Sequence, residues 1–386
     1  MRLWTANSYA KMNTDKCKKW GKFMKKIIIG AALLYLLSAF YPANHLQVWG
    51  ADTGQKKTES VSDADSMPVK AIKITNITIS MAGDVTLGNN QKQGYAGTFN
   101  EKYDLKGKDY FFKNVKSVFE EDDMTIVNFE GVLTNSNGLV KKEWNMKGKP
   151  KYSKILTAGS IEAVSLGNNH RMDYGKQGEA DTLKALKKEN ITYAYDNNVG
   201  IYKVKGIRIG YVSVNQVYDG KKVESYLQKG IRKLKEKKVD LILACCHWGI
   251  ERVYYPNQTQ TNLAHKCIDW GADLVIGCHP HVLQGVEKYK GAYIVYSLGN
   301  FCFGGNRNPA DKETMIAQIT FTFEDGERLD SSKLQIIPCT LSSVSYVNDF
   351  QPTIATGSKK KKILSHINQY SKKYGIQFNK DGIANK

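Results

Sequence analysis

Between Ile27 and Tyr41 no charged side chain interrupts the chain, whereas the sequence on both sides of that run is polar. A bilayer span needs roughly 20 apolar residues and the core of a signal peptide roughly 7–15, so the run sits between the two lengths. Residues 1–26 hold eight basic side chains against Asp15, which keeps the amino end in the cytoplasm and sends the rest across the membrane. The pattern therefore predicts a basic cytoplasmic segment over 1–26 and an uncleaved single-pass anchor over 27–43, with the folded part extracytoplasmic at the cell membrane. The alternative is a signal peptide cut after Gly50, with Val48 and Gly50 as small residues at the usual offsets, and a secreted product. Residues 44–71 read as a polar linker, since 50–71 have no hydrophobic period.

From Ile72 the pattern changes. Short β-branched runs at 77–82, 125–129, 163–166, 240–245, 274–276 and 293–297 predict strands. Between them, 180–190, 224–238 and 259–270 have a helical period, and 203–214, broken at Lys205-Gly206, predicts a hairpin. Apolar strands alternating with helices imply an α/β fold whose sheets are covered on their faces. The main domain is expected over 72–350. A basic helix at 359–374, within a tail of 351–386, is expected to pack outside it or fray.

The composition, 41% hydrophobic and 24% charged, suits a globular protein and excludes disorder throughout. The net charge of +19 lies mostly at the ends: 1–26 and 351–386 carry +7 each, leaving +5 for the rest. A nucleic-acid binder would carry its basic face on the folded domain, so nucleic acid is not the expected partner. Seven cysteines form no disulfide framework, because Cys17 precedes the apolar run and Cys245 and Cys246 are neighbours in one strand. Buried free thiols are expected, with no C-x-x-C pair for zinc.

The chemistry gathers where the apolar strands end. Gly83-Asp84 closes the first, Asn128-Phe-Glu130-Gly the second, and Asn168-Asn169-His170 the third. His247-Trp-Gly and His279-Pro-His281 close two more. In open α/β sheets, ligands bind beyond the carboxyl ends of the strands. Two carboxylates, an amide and several imidazoles there suit one or two divalent transition ions (Mn, Fe or Zn) better than Mg or Ca alone. Each piece alone has a plain reading as a turn, a helix cap or a packed core histidine. His-x-His is sharper, because alternate strand residues point the same way. His45, His265 and His366 lack this context and read as surface or packing residues.

The same residues carry a resemblance. Gly83-Asp84, Asn128-Phe-Glu130-Gly, Asn168-Asn169-His170 with Asp173-x-Gly175, and His247-Trp-Gly-x-Glu251 occur in order. Gly271-Ala-Asp-Leu-Val-Ile-Gly-Cys-His279-Pro-His281 and Tyr296-Ser-Leu-Gly-Asn300-Phe follow. Together they resemble the bacterial capsule-synthesis CapA (PgsA) family, associated with poly-γ-glutamate and similar to calcineurin-like metallophosphoesterases. The resemblance implies a four-layer α/β/β/α sandwich. It implies Asp84 and His281 on one ion, Asn169, His247 and His279 on another, and Glu130 as the bridging carboxylate. It further implies His170 as the acid beside the leaving group. Asp173 stands where it could orient that ring, and Glu251 and Asn300 read equally as groups behind the ligands or as turn residues near the rim. Thr86 stands where the wider superfamily's Asp-x-His motif has its histidine, leaving the first ion one ligand short.

Three functions compete. The first is a membrane-anchored protein for synthesis or export of an anionic capsule polymer of poly-γ-glutamate type, working with other membrane-bound subunits. The second is a metal-dependent phosphoesterase or hydrolase of other envelope substrates. The third is a non-catalytic polymer-binding subunit. Fold analogy cannot decide among them.

Overall fold

The computed structural model of the chain describes residues 71–385. The cytoplasmic segment, the anchor over 27–43 and all but the last residue of the 44–71 linker lie outside the described residues, as do Cys17 and His45. Among the described residues, no helix is long and apolar enough to cross a membrane.

The fold is mixed α/β with two large sheets and a small one. Across the first sheet the strands run Thr353–Ile354, Glu327–Thr340, Glu313–Glu324, Ile74–Thr86, Met124–Phe129, Ala163–Ser165 and Thr192–Ala194. Asn300–Phe303 adds in parallel at the carboxyl end of Ile74–Thr86, pairing Asn300 with Asp84. The second sheet runs Val286–Tyr289, Ala292–Val295, Leu274–Cys278, Leu241–His247, Ile207–Asn215 and Gly200–Val204. Its four inner strands are parallel. The expected hairpin is there, with Lys205 and Gly206 both at positive φ (50° and 87°), as a two-residue turn that follows strand twist requires.

Side-chain alternation assigns each sheet two buried faces. Ile77, Ile79, Met81 and Ile126 of the first sheet share a core with Ile209, Leu243, Cys245 and Ile276 of the second. The opposite face of the first sheet (Ala82, Val127, Phe129, Val164) packs on Phe99, Phe112, Ile155 and Leu186. The opposite face of the second (Val212, Val214, Ile242, Ala244) packs on Val223, Leu227, Ile231 and Leu234 of the helix Lys222–Glu236. Those helix residues recur every three or four positions, and burying each contributes about 2 kcal/mol. Burial on both faces explains why these strands read as almost continuous apolar runs. The helix Gln258–Trp270 begins where Asn257 and Gln260 form a reciprocal capping box and ends at Gly271 in the left-handed conformation.

One element was not anticipated, and one expectation needs correction. The long antiparallel pair Glu313–Glu324 and Glu327–Thr340, turning at Asp325-Gly326, was not expected at all. The basic C-terminal helix, observed at Gly357–Ser371, is no outer appendage. Its lysines at 359–362 face outward or sit at the margin, but Ile363, Leu364 and Ile367 join the core between the sheets. The chain then returns to the sheet edge, where Ala384 N donates to Leu334 O at 3.0 Å. Residues 351–385 therefore belong to the same folded body. The six described cysteines are free and buried, as expected.

Candidate metal centre

Strands from both sheets point their carboxyl ends at one place. Asp84 lies near the end of Ile74–Thr86, and Glu130 directly follows Met124–Phe129. Asn169 and His170 follow Ala163–Ser165, His247 ends Leu241–His247, and His279 and His281 follow Leu274–Cys278. All seven meet.

Glu130 is the centre of the group. It is fully buried, and neither carboxylate oxygen has a hydrogen-bond partner. Its Oε1 lies 3.7 Å from His170 Nε2, 3.8 Å from His247 Nε2 and 3.9 Å from His281 Nε2. Those separations are too long for hydrogen bonds, and those of His247 and His281 match atoms sharing an ion at about 2.0–2.2 Å from each. Burial, and then the Asp84 charge, pushes the Glu130 carboxyl up to about 8.

Asparagines hold the frame. Asn128 Nδ2 donates to Asp84 Oδ1 at 2.7 Å and lies 3.2 Å from His247 Nδ1. Asn168 donates to Phe129 O at 2.7 Å and accepts the His170 N–H at 3.0 Å, an Asx-type turn that aims His170 inward. Asn169 Oδ1 is 2.9 Å from His247 Nε2. Asp84 Oδ2 lies 3.1 Å from His281 Nδ1 but off its N–H direction, which is directed at Asn300 Oδ1 at 2.9 Å. His279 and His281 both have left-handed backbones (φ 97° and 58°), a strain of about 1–3 kcal/mol each that the surrounding contacts must hold.

The imidazoles differ electrostatically. Burial, reinforced by His281, lowers His279 to about 4, and burial likewise holds His247 well below its ordinary value. His170 is also lowered by burial, against the pull of Asp173. His281 goes the other way: burial opposes its charge, but Glu130 and Asp84 outweigh that and raise it to about 10. Burial disfavours the charged form of His170, His247 and His279, and imidazoles beside an orphaned carboxylate are the donor set a divalent ion requires. Two carboxylate–imidazole groups have ligand atoms all within 4.8 Å of one another: Asp84, Glu130 and His281, and Glu251, His279 and His281.

Behind His170, Asp173 Oδ2 sits 2.7 Å from Nδ1. A carboxylate only accepts, so the Nδ1 proton points at Asp173 and the lone pair is at Nε2. Lys142 bridges to Asp173 Oδ1 at 2.6 Å and to the carbonyl of Asn169 at 2.9 Å. Asn300 accepts from His281 Nδ1 at 2.9 Å. Glu251 does not lie behind the ligands: it faces His279 and His281 from the cleft. Thr86 offers nothing to the centre, since its hydroxyl donates to Glu130 O at 2.8 Å. The sequence reading quoted Asn128 without giving it a role and missed Lys142. Asn128 had a signal, two positions before Glu130 on the same strand face, whereas Lys142 sits in a loop with none.

His170, His281 and Asn300 form the floor of an open cleft of about 520 Å³. Trp144, Arg252, Tyr254, Lys362 and His366 contribute to its walls. Lys362 and His366 both pair with Glu313, at 3.1 Å and 2.6 Å. His265 is engaged by Glu287 at 2.8 Å, away from the centre.

Similar proteins share much of this chain. The chain is 31% identical over 279 residues to the capsule biosynthesis protein CapA of Bacillus anthracis, covering 66% of this chain and 65% of that one. It is 31% identical over 261 residues to the PGA biosynthesis protein CapA of Bacillus subtilis (strain 168), covering 62% and 67%. The matched stretch thus spans about two thirds of each relative's length. Among solved structures, the 5'-nucleotidase of Candida albicans SC5314 aligns with a TM-score of 0.40 at 13% identity, over 78% of this chain and 59% of that one. The profile described as "Bacterial capsule synthesis protein PGA_cap" matches residues 78–305, most of the folded body and every residue of the centre, and the chain therefore belongs to that family.

Proposed function

We propose that this protein serves the synthesis or export of an anionic capsule polymer of poly-γ-glutamate type, through a metal-dependent hydrolytic centre at the strand ends. The carrying observation is the fully buried, hydrogen-bond-free Glu130 carboxylate facing three imidazole Nε2 atoms at 3.7–3.9 Å. Family membership supports the polymer assignment, and the names of both Bacillus relatives describe capsule or PGA biosynthesis. The finer fold reading is a four-layer α/β/β/α sandwich of metallophosphoesterase type, supported by one core between the sheets and one outside each. The basic segment preceding the uncharged run supports an anchored, extracytoplasmic placement beside membrane-bound partner subunits. The net +5 domain and the cationic C-terminal tail would attract a polyanion.

Asp84, Glu130, Asn169, His247, His279 and His281 would hold one or two divalent ions. Such ions, when bound, supply Lewis-acid polarisation of a substrate oxygen and lower the pKa of water from about 15.7 toward 7. His170 takes up a proton at Nε2 and delivers it to the leaving oxygen, while Asp173 and Lys142 keep the ring from turning. The left-handed backbones of His279 and His281, on either side of Pro280, hold two imidazoles toward one point, and the cleft admits the substrate.

The test is elemental analysis of the purified full chain, with turnover on a phosphodiester and a phosphomonoester and polymer output in a capsule-producing host. Bound Mn, Fe or Zn, lost in Glu130→Gln, with turnover lost but metal kept in His170→Ala, is the expected result. Unchanged polymer output in both Glu130→Ala and His247→Ala would refute the hydrolytic role and leave polymer binding as the function.

A further inference from the structure

Glu251 is the one carboxylate at the centre that the strand-end pattern does not supply. It lies in the loop after His247, and two contacts pin that loop onto the His279-Pro280-His281 segment. Trp248 N donates to Cys278 O at 3.0 Å, and Arg252 N donates to Pro280 O at 2.7 Å. Gly249 and Arg252 turn the loop with positive φ values of 85° and 62°. The result sets a Glu251 oxygen and one nitrogen each of His279 and His281 within 4.8 Å of one another. Among the described residues, no hydrogen bond or ion pair engages the Glu251 carboxylate. Facing it, His279 is only 4% exposed and its Nδ1 has no hydrogen-bond partner. A buried, unpartnered imidazole nitrogen costs free energy unless something binds it.

The two carboxylate–imidazole groups share His281 and differ in depth. Asp84 and Glu130 are fully buried, whereas Glu251 is exposed on the cleft side. An ion between Glu251, His279 and His281 would therefore lie nearer the substrate's entry than one at Asp84 and Glu130. Thr86 supplies no imidazole to either group, and its hydroxyl donates to Glu130 O.

We infer that Glu251 is a direct ligand of a divalent transition ion at the cleft side of the centre, together with His279 and His281. The inference rests on the metal-centre reading above. One carboxylate oxygen beside two imidazole nitrogens suits Mn, Fe or Zn, and losing one of three protein ligands is expected to weaken such a site by more than about tenfold.

Equilibrium dialysis of the full chain against Mn(II) alone, read by elemental analysis and by the Mn(II)-induced shift in Tm, tests it. Glu251→Gln is expected to lose one equivalent or to weaken its binding more than tenfold, leaving the metal-free Tm within about 2 °C because the side chain is exposed. Glu251→His, which supplies a new ligand without the charge, is expected to regain binding. Wild-type stoichiometry and affinity in Glu251→Gln would overturn the ligand role while leaving the deeper centre standing. Loss in both variants would assign Glu251 a charge effect and also overturn ligation. Absence of Mn(II) binding by the wild type, with Glu130→Gln indistinguishable from it, would instead sink the metal-centre reading and this inference with it.

Discussion

Gly83→Ala probes how closely two backbone segments must approach to build the centre. A Cβ at position 83 would lie 1.8 Å from Gly299 O, 2.9 Å from Gly299 C and 3.1 Å from Leu298 C. All three are backbone atoms, so no side chain can swing aside. Reaching even the 3.0 Å that real Cβ atoms respect requires a shift of more than about 1 Å. The same Gly299 carbonyl accepts the Asp84 N–H at 2.9 Å, and the next residue, Asn300, holds His281 Nδ1 at 2.9 Å. Overpacking costs about 1–3 kcal/mol and a broken buried backbone hydrogen bond about 1–3 more, so a loss of about 3–5 kcal/mol is expected. For a domain of this size that corresponds to a fall in Tm on the order of 5–10 °C. Because sites of this kind tolerate displacements of only about 0.5 Å, divalent-ion binding should weaken as well. Calorimetric Tm and Mn(II) titration of the purified chain read both effects. Gly94→Ala is the control, since its Cβ would meet only Arg307 Nη2, at 3.8 Å. A Gly83→Ala protein with a Tm within about 2 °C of wild type and unchanged Mn(II) affinity would refute the close approach.

Two further expectations concern stability. Burial lifts the Glu162 carboxyl to about 7, above its ordinary 4.5, so the folded state keeps a proton that the unfolded state releases between those values. This group's stabilising contribution is present at low pH and lost as pH rises through 7. Glu162→Gln can keep the acceptor for Thr125 N, now at 2.8 Å, and should gain on wild type by about 1–2 kcal/mol between pH 5 and pH 8, after discounting for the carboxyl's partial solvent contact. Parallel Tm–pH profiles for the two proteins would contradict this. Ile367→Ala, in the C-terminal helix but within the core between the sheets, should cost about 2–4 kcal/mol in urea denaturation, whereas a frayed outer helix would register almost nothing.

Much of the centre was legible because its signals are local. Asp84, Glu130, His247 and the His279–His281 pair each follow an apolar run, and a polar ligand group where such a run ends can be read without knowing any neighbour. Helices with an internal period, such as Lys222–Glu236, were legible for the same reason. The missed pair Glu313–Glu324 and Glu327–Thr340 also carried a local signal. Met315, Ala317, Ile319, Phe321 and Phe323 alternate before Asp325-Gly326, a hairpin pattern that was there to be read. The docking of the C-terminal helix was less legible, since four consecutive lysines mask the apolar stripe of Ile363, Leu364 and Ile367.

The sequence by itself determined which residue types close which strands, the α/β alternation, the uncharged run near the amino end, and the family those features share. Only the tertiary structure decided that Glu130 faces three imidazoles with no hydrogen bond of its own, that Lys142 braces Asp173, that Thr86 turns away, and that Glu251 faces the histidines rather than supporting them from behind. The reason is physical. A strand end is set by the local run of side chains, whereas distances among residues 130, 170, 247 and 281 depend on sheet order, register and packing between two sheets, which no short stretch of chain encodes.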